Sequence, residues 1–250
     1  MPTFEELLAE GAAVPTDGWD FSWFDGRATE QRPSWGYARL IAERMAKVEA
    51  ALDIQTGGGE VLATIPVAPR LLAATESWPP NLAIARRNLA KFDAAVVEID
   101  NEADLPFPTD HFDLVVSRHP VVTRWDEVHR VLRPHGSYLS QQIGAGTVRE
   151  LRDFMMGAQP VKMERFPMMV VAEAEAAGMV VTDLRQEALR MEFFDVAAVV
   201  HFLRKVIWTV PDFTVDAYRD RLAELHTFMD RHGPFVAHAQ RFLIEAQPAD

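Results

Sequence analysis

The feature that most constrains the fold is an apolar stretch, residues 48–54, that leads within two residues to three consecutive glycines, Gly57, Gly58 and Gly59. Glycine has no Cβ atom, so a glycine turn lets the backbone approach a ligand closely. A strand that ends in such a turn, within an alternating strand and helix pattern, is typical of α/β sheets that hold nucleotide-like cofactors. One residue departs from this pattern, because Gln55 stands where such loops usually carry another glycine.

Strand and helix patterns alternate through the first 145 residues. Short apolar runs predict strands at residues 50–54, 71–76, 94–99, 112–117 and 137–143. Three- and four-residue apolar spacing predicts helices at residues 34–48, 82–91 and 126–132, and a helical stretch from about Glu60 that Pro66 and Pro69 cut short. This alternation predicts a parallel sheet with crossover helices.

The rest of the chain predicts two additions to this sheet. After a helix at 165–177, strands are predicted at 179–184 and 235–246, with helices at 193–206 and 215–231 between them. We interpret about residues 190–233 as a helical cap inserted before the last strand of a domain that covers residues 34–250. Residues 1–33 are predicted to form an N-terminal arm whose rings, Trp19, Phe21, Trp23 and Phe24, either pack on the body or close over a pocket as a lid.

Composition excludes several classes of function. The formal net charge is −12 and the chain has no extended basic patch, so we expect no nucleic-acid partner. The chain has no cysteine, which excludes disulfides and thiolate zinc sites. Its apolar runs are too short to span a bilayer and its N-terminus does not resemble a signal peptide. We therefore predict a cytoplasmic protein without a membrane partner.

Four polar features follow four predicted strands of the sheet. They are the glycine turn, Glu76, the acidic segment 100–104, and the segment 117–120. In open α/β sheets ligands bind outside the carboxyl ends of the strands, so these features are expected to share one crevice. Glu76 is placed to accept hydrogen bonds from both ribose hydroxyls of an adenosine, since a carboxylate accepts at both oxygens. Asp110 and Asp113 lie at the opposite end of the fourth strand, and we predict no metal site.

These motifs resemble those of the class I S-adenosylmethionine-dependent methyltransferases, in the large group that acts on small molecules. The matching segments are Leu-Asp-Ile-Gln-Thr-Gly-Gly-Gly-Glu (52–60), Ala-Thr-Glu (74–76), the run from Asp-Leu-Pro-Phe-Pro to Val-Val-Ser (104–117), and Glu-Val-His-Arg-Val-Leu-Arg-Pro-His-Gly-Ser (127–137). The resemblance covers roughly residues 48–142. The tail, residues 191–208, resembles a bacterial branch of the same superfamily and indicates no particular acceptor. The fold expected from the pattern and the resemblance is a Rossmann-like, seven-stranded, mostly parallel sheet with helices on both faces.

The resemblance also implies a cofactor, S-adenosylmethionine, and roles for individual residues. Asp53 would hold the amino group of the methionine end, and Glu76 would hold the ribose. Asn101 and Glu102 would border the adenine, and Ser117 would lie between the methionine end and the acceptor. The residues expected at the cofactor are Asp53, Gln55, Thr56, Gly57, Gly59, Glu76, Trp78, Asn101, Glu102 and Ser117.

Three positions leave alternatives open. Gln55 would either contact the carboxylate of the cofactor or intrude on its site. Trp78 would either cover one face of the adenine or pack against the protein. His135 replaces a glycine in the turn before the fifth strand, which histidine tolerates because it is enriched at positive φ.

The acceptor is expected to be a small, partly apolar or aromatic molecule, because the surface is acidic and the insertion is rich in aromatic residues. His119 is the first candidate for a general base, and the alternative is a histidine with a local hydrogen bond only. His201 and His226 fit a structural role better. The chain is expected to act as a monomer or a homodimer.

Two other functions compete with methyl transfer. A nicotinamide-dependent oxidoreductase needs the turn Gly-x-Gly-x-x-Gly, and the spacing of residues 57–59 does not fit it. A non-catalytic protein that binds the cofactor, or regulates a partner, is the second alternative, and Gln55 is the residue that motivates it.

Overall fold

The structure is a computed structural model that describes residues 2–16 and 21–249, so Trp19 of the predicted aromatic set lies outside the described residues. The strands in this part of the chain are β1 (Ala28–Glu30), β2 (Ala50–Ile54), β3 (Leu71–Glu76), β4 (Ala95–Glu98), β5 (Phe112–Arg118), β6 (Leu132–Ile143), β7 (Met179–Phe193) and β8 (Phe235–Pro248). The α-helices are α1 (Phe4–Ala13), α2 (Tyr37–Met45), α3 (Pro79–Leu89), α4 (Trp125–Val131), α5 (Arg149–Met156), α6 (Pro167–Ala176), α7 (Val196–Lys205) and α8 (Arg219–His232).

The strands form one mixed sheet in the order β1-β7-β8-β6-β5-β2-β3-β4. The five strands from β6 to β4 are parallel to their neighbours, β8 is antiparallel to β6, and β1 is antiparallel to β7. The predicted α/β fold with a parallel centre is confirmed. The predicted number of seven strands is wrong, because among the described residues the sheet has eight. The extra strand, β1, is only three residues long and has no apolar pattern, so it depends on its backbone pairing with β7.

The chain divides into two compact units. The sheet unit contains residues 33–145, 163–187 and 241–250. The helical unit contains residues 1–32, 146–162 and 188–240. Its first segment covers nearly the same residues as the predicted arm, and its last segment includes the residues of the predicted insertion, while the roles of arm and cap stay predictions. Residues 146–162 add the helix α5, which the sequence patterns did not reveal.

Both faces of the sheet unit are buried. Along β5, Phe112 and Val115 belong to one apolar cluster, whereas Leu114 and Val116 belong to another. Successive side chains of a strand point to opposite faces, so these two clusters lie on opposite sides of the sheet. A strand covered on both faces reads as a continuous apolar run, which is why the parallel strands could be recognised from the sequence.

The helical stretch predicted after the glycine turn is a single turn of 3-10 helix, Leu62–Thr64. It ends before the prolines at 66 and 69, as predicted, because proline lacks the backbone N–H that a continuing helix needs. The sheet unit therefore has no helix N-terminus directly after the glycine turn.

The turn predicted before the fifth strand lies inside β6. Its residues Pro134, His135 and Gly136 form an irregularity in the pairing of β6 with β5, and His135 has φ +66°. The expectation that histidine tolerates this position is confirmed. A Cβ atom at Gly136 would lie 2.9 Å from the carbonyl oxygen of Arg133, so this glycine is needed for close packing of the backbone.

Strand β7 is longer than predicted, because it continues from residue 184 to Phe193. Leu189, Met191 and Phe193 are buried at every second position, and the residues between them are less buried. This period of two is the signal of a half-buried strand. The helix predicted to begin at residue 193 is α7, which begins at Val196. The Asp195 side chain caps it by accepting a hydrogen bond from the Ala198 N–H at 2.8 Å.

The helical unit has its own apolar core, to which α1, α5, α7 and α8 all contribute. Helix α1 begins with a capping box, in which Thr3 and Glu6 each accept a hydrogen bond from the other residue's backbone N–H. Two rings of the N-terminal arm, Trp23 and Phe24, pack against His201 of α7 with ring centroids 5.0 and 4.9 Å apart. These contacts are those of the predicted packing role, and the lid role stays a prediction.

Gly11 is a position of close contact between α1 and α7. A Cβ atom there would lie 2.5 Å from the carbonyl oxygen of Ala197 and 3.0 Å from the Cβ atom of Val200. We expect Gly11→Ala to destabilise the protein by about 1–3 kcal/mol, because overpacking outweighs the gain of about 1 kcal/mol in helix propensity. Urea unfolding measures the change. Ala9→Gly, at an exposed position of the same helix, reports propensity alone, and a stabilised Gly11→Ala protein would contradict the expectation.

Candidate functional site

The carboxyl ends of β2, β3, β4 and β5 lie side by side in the sheet unit. Ile54 at the end of β2 is in register with Ser117 of β5, and Glu76 at the end of β3 is in register with Glu98 of β4. The loops that follow these strands therefore share one edge of the sheet, as the sequence predicted.

Asp53 is a buried carboxyl just before this edge. Its Oδ2 accepts a hydrogen bond of 2.7 Å from the Thr56 hydroxyl. The pKa of Asp53 is raised from 3.8 to about 7, mainly by burial. The negative charge of Glu76 contributes to this shift, and the hydrogen bond from the Thr56 hydroxyl and the charge of Arg118 oppose it. A carboxyl in this state favours a cationic group next to it, since a positive charge would stabilise its ionised form.

Glu76 closes the other side of the glycine turn. One carboxylate oxygen accepts from the Gly57 N–H at 2.8 Å, and the other accepts from the N–H groups of Ser77 and Trp78 at 3.1 and 2.8 Å. These three bonds hold the carboxylate in one orientation. A carboxylate has about four acceptor positions, so one remains for a ligand hydroxyl.

The three glycines have different tasks. Gly57 has φ +65°, and a Cβ atom there would have nothing within 4 Å, so this residue presents open backbone. Gly59 has φ +72°, and a Cβ atom there would lie 3.1 Å from Leu89. A Cβ atom at Gly58 would lie 2.9 Å from Ile84. Of the three, Gly57 is therefore the one suited to close approach of a ligand, whereas the other two allow close packing on α3.

Gln55 adopts the left-handed conformation, with φ +58°, that a glycine would favour at this position. Its side-chain amide bridges to the loop after β5: Nε2 donates to the Val122 carbonyl at 2.7 Å, and Oε1 accepts from the Val121 N–H at 2.6 Å. The amide thus pairs with the backbone of the neighbouring loop on both sides. The sequence offered two placements for this side chain, in contact with the cofactor carboxylate or intruding on the cofactor site. Neither of them included a bridge to the loop after β5.

The segment after β4 is held by Arg124. The Arg124 guanidinium donates to the carbonyl of Glu102 and to the carboxylates of Asp104 and Asp126. Asp100 also accepts from the Glu102 N–H at 2.8 Å. These bonds give the segment that was predicted to border an adenine a defined backbone.

Ser117 lies at the end of β5 within a buried group of hydroxyls. Its Oγ is 2.7 Å from the Tyr138 hydroxyl and 2.8 Å from the Ser140 Oγ. The Tyr37 hydroxyl donates to the carbonyl of Ser117 at 2.9 Å. Burial raises the pKa of both tyrosines, so both hydroxyls stay protonated at neutral pH.

His119 is held by neighbours rather than free. The Trp35 indole N–H donates to Gln141 Oε1 at 2.8 Å, which orients the Gln141 amide so that its Nε2 donates to His119 Nε2 at 3.0 Å. Burial and the nearby charges of Arg118 and Arg241 hold the pKa of His119 well below its usual range. The imidazole is thus neutral, with its proton on Nδ1 and its Nε2 lone pair already occupied. These contacts are those of the alternative stated for His119, a histidine with a local hydrogen bond only.

The weaker base candidates belong to the helical unit. His201 is buried between aromatic rings, and burial together with the charges of Lys205 and Arg204 lowers its pKa to about 4. His226 stacks on Phe4 with ring centroids 5.4 Å apart. Both side chains have contacts typical of structural histidines.

A cleft lies among these loops in the sheet unit. Its volume is only about 20 Å³, room for about one water molecule. Three predicted site residues line it, namely Gln55, Asn101 and Ser117. Asp53 and Glu76 do not line it, but each directly adjoins a lining residue, Ile54 or Thr75, along the chain.

The remaining predicted residues lie outside the lining of the cleft. They are Thr56, Gly57, Gly59, Trp78, Glu102 and His119. Trp78 is 42% exposed, so its ring is not part of a core. Further lining residues were not predicted, among them Thr75, Ile99, Thr123, Arg124 and Tyr138. Thr75 and Ile99 could have been inferred, since Thr75 is next to Glu76 and Ile99 directly precedes the predicted acidic segment 100–104.

Two further observations concern the described part of the chain. Its helices include none that is both long and apolar enough to cross a bilayer. Within residues 2–16 and 21–249, no three histidine, aspartate or glutamate side chains come together in a way that could hold a metal ion.

Comparison with known proteins identifies the class of domain. Residues 52–140 match a family described as a methyltransferase domain. This match and the fold support the resemblance of residues 52–140 to the class I S-adenosylmethionine-dependent methyltransferases. Among curated proteins, no sequence matches the chain.

Solved structures share the fold at low sequence identity. The YcgJ protein from Bacillus subtilis is 17% identical with a TM-score of 0.60, over 85% of this chain and 98% of that chain. An S-adenosylmethionine-dependent methyltransferase from Mesorhizobium loti is 15% identical with a TM-score of 0.52, over 85% of this chain and 96% of that chain. The [4+2]-cyclase SpnF is 15% identical with a TM-score of 0.52, over 99% of this chain and 97% of that chain. Such similarity establishes the fold, which proteins named for different reactions share.

Proposed function

We propose that this protein transfers a methyl group from S-adenosylmethionine to a small acceptor molecule. One observation carries the proposal: the Gly57 N–H donates to the Glu76 carboxylate at 2.8 Å, which joins the glycine turn to the acid at the end of β3 beside buried Asp53. This arrangement brings together an acceptor for a ribose hydroxyl, open backbone and a carboxyl suited to a cation.

The residues present suit the parts of the cofactor. Asp53 would accept from the ammonium group of the methionine end, because burial leaves its carboxyl in need of a positive neighbour. Glu76 would hold one ribose hydroxyl with its remaining acceptor position. Asn101, which lines the cleft, and Glu102 would border the adenine. The exposed ring of Trp78 is available to cover one of its faces.

When bound, the cofactor supplies an electrophilic methyl group on a sulfonium, and transfer forms a bond from the acceptor's lone pair to that carbon while the carbon–sulfur pair stays on sulfur. The protein contributes alignment and the exclusion of water. The narrow cleft and the buried hydroxyls around Ser117 serve both purposes. The Nε2 lone pair of His119 is occupied by the hydrogen bond from Gln141, so His119 would accept a proton only after this bond breaks. While the bond is intact, we propose that the acceptor's proton leaves to water or to another group.

The acceptor that we propose is small because the chain has a formal net charge of −12, which disfavours polyanions such as nucleic acid. A cytoplasmic monomer or homodimer is consistent with this function. Isothermal titration calorimetry with S-adenosylmethionine and S-adenosylhomocysteine tests the proposal, and we expect binding of both. No detectable heat at millimolar cofactor would reject it.

A non-catalytic role is the second candidate, and the narrow cleft favours it. With only about 20 Å³ wide enough for water, the cleft must widen before it admits a cofactor. The Gln55 bridge to residues 121–122 is one contact that holds it narrow. Binding of S-adenosylhomocysteine without methyl transfer to any acceptor tested would favour this candidate.

Gln55→Gly tests the bridge directly. Glycine suits a φ of +58°, and the change removes both hydrogen bonds to the loop after β5. We expect hydrogen exchange of the Val121 amide to become about two- to tenfold faster, the equivalent of one lost hydrogen bond. The affinity for S-adenosylhomocysteine should be equal or higher, because the cleft is freer to widen.

Gln55→Glu is the matched control for this prediction. Its carboxylate still accepts from the Val121 N–H but cannot donate to the Val122 carbonyl. It should therefore keep the Val121 amide protected while exposing the Val122 carbonyl. NMR measures the hydrogen exchange rate of the Val121 amide. If this rate is unchanged in Gln55→Gly, the bridge is not maintained in solution.

A further inference from the structure

A second cavity lies in the sheet unit and has no role in the proposed cofactor site. Its volume is about 210 Å³. This is below the about 300–1,000 Å³ that is typical of sites for drug-sized ligands, so the cavity suits a small ligand. The cavity lies at the ends of β5 and β6 and beside α6, and its polar lining comes from Thr123, Gln142, Glu164, Arg165 and Glu173.

The cavity and the cleft are separated by one segment of chain. Pro120, Val122 and Thr123 line both of them. Methyl transfer needs the reacting atoms about 3–3.5 Å apart, so an acceptor site has to border the cofactor site. The second cavity meets this requirement, because the two spaces share lining residues of the segment 120–123, which is hydrogen-bonded to Gln55.

The charges of the lining favour a cation. Within the described residues, the side chains of Glu164, Glu173 and Arg165 form no ion pair or hydrogen bond. Two free carboxylates against one free guanidinium leave the lining with a net negative charge. A ligand ammonium would gain a partner there, whereas a ligand carboxylate would meet more repulsion than attraction.

The rest of the lining is suited to an apolar body. Val122, Ile143 and Phe242 contribute apolar surface, and Val170 adds more from α6. Trp125 also lines the cavity, and its buried indole N–H has no acceptor within the described residues. Buried donors usually have a partner, and an ammonium has no lone pair to offer, so a water molecule bound beside the ligand would accept this hydrogen bond.

We propose that this cavity is the acceptor site and that it binds a small amine with an apolar body. The inference rests on the proposed methyl transfer and gives its acceptor class. The bound ammonium first passes one proton to a lining carboxylate or to water. The neutral nitrogen then forms the bond to the methyl carbon with its lone pair, the carbon–sulfur pair remains on sulfur, and the product is the methylated ammonium. The segment 120–123 has to shift for the nitrogen to reach the methyl group.

The test uses the full chain and two probes of similar size and opposite charge, phenethylamine and phenylacetate. Saturation-transfer NMR titrations give their affinities for the wild type, Glu173→Gln and Glu175→Gln. Glu173 lines the cavity, whereas Glu175 is an exposed acid of the same helix that does not. We expect phenethylamine to bind more tightly than phenylacetate, and Glu173→Gln to weaken it about three- to fivefold, the effect of one solvent-accessible charge pair.

Each outcome decides for or against the inference. An unchanged affinity in Glu175→Gln together with weaker binding in Glu173→Gln supports the cavity as the amine site. Equal losses in both variants, or tighter binding of phenylacetate, overturn it. Calorimetry with S-adenosylhomocysteine is run in parallel. If the amine binds and the cofactor does not, the proposed methyl transfer is rejected and the amine site is kept. If the cofactor binds and the amine does not, only the proposed acceptor class is rejected.

Discussion

Asp53→Asn is expected to make the ligand-free protein more stable while weakening its binding of S-adenosylmethionine at least tenfold. In the native protein, burial holds the pKa of Asp53 near 7, compared with an ordinary value of 3.8. Asparagine removes the cost of ionising a buried carboxyl and can still accept from Thr56. It cannot supply the negative charge that the ammonium group of the cofactor would need.

The effect on stability has a defined pH window. Between about pH 4 and pH 7 the native state keeps a proton on Asp53 that the unfolded state has released, so wild-type stability falls as pH rises through this range. The advantage of Asp53→Asn should therefore be absent below about pH 4, grow between the two pKa values, and reach roughly 1–4 kcal/mol above them. Denaturant unfolding at several pH values measures this difference.

Below about pH 7, the affinity for the cofactor should change with pH in the direction opposite to that of the stability. Binding of the ammonium group favours ionised Asp53, so wild-type affinity should rise as pH increases towards 7. The free amino group of the ligand has an ordinary pKa of about 8, so affinity should level off or fall above that value. The rise on the acid side should disappear in Asp53→Asn.

Asp110→Asn is the control, because it makes the same chemical change at an exposed position with φ +53°, which asparagine tolerates. It should leave both stability and affinity close to those of the wild type. An Asp53→Asn protein that is less stable than the wild type at about pH 8 would show that the buried carboxyl is stabilised by an interaction that we have not identified.

Glu76→Ala is expected to weaken binding of S-adenosylhomocysteine by about 1–3 kcal/mol, the cost of losing hydrogen bonds to a charged acceptor. The same change leaves the backbone N–H groups of Gly57, Ser77 and Trp78 without their acceptor, so the glycine turn should also loosen. Calorimetry of the folded protein measures affinity, and thermal unfolding reports the loss of stability separately.

Two matched variants separate the contributions of Glu76. Glu76→Gln keeps one oxygen acceptor for the backbone and removes the charge, so it should fold better than Glu76→Ala and still bind more weakly than the wild type. Glu98→Ala removes an exposed acid at the end of the adjacent strand, in register with Glu76. If Glu98→Ala lowers the affinity as much as Glu76→Ala, the effect comes from net charge and not from a ribose contact.

Much of the sheet unit could be predicted from local patterns. The apolar runs at residues 50–54 and 71–76 predict strands with the bounds that β2 and β3 have, because strands buried on both faces are continuous apolar runs. Parallel pairing follows from the alternation of strands with helices. Since parallel strands end on the same side, the sequence alone suffices to assign Asp53, Glu76 and Ser117 to one edge of the sheet.

Some missed elements carried readable signals. Helix α1 begins with Thr3 followed three residues later by Glu6, which is the pattern of a capping box. The extension of β7 alternates buried and less buried residues. Strand β1 is different, since three residues without apolar periodicity form a strand only when a partner supplies the hydrogen bonds.

Local sequence thus determined the parallel sheet, the glycine turn and the acids beside it, because these depend on periodicity and on residues close together along the chain. Tertiary structure alone decided what Gln55 does, since its two hydrogen-bond partners lie 66 and 67 positions away in the loop after β5. It also decided the state of Asp53 and of His119, whose pKa values depend on burial and on charges brought close only by folding. Spacing along the chain carries no information about such neighbours.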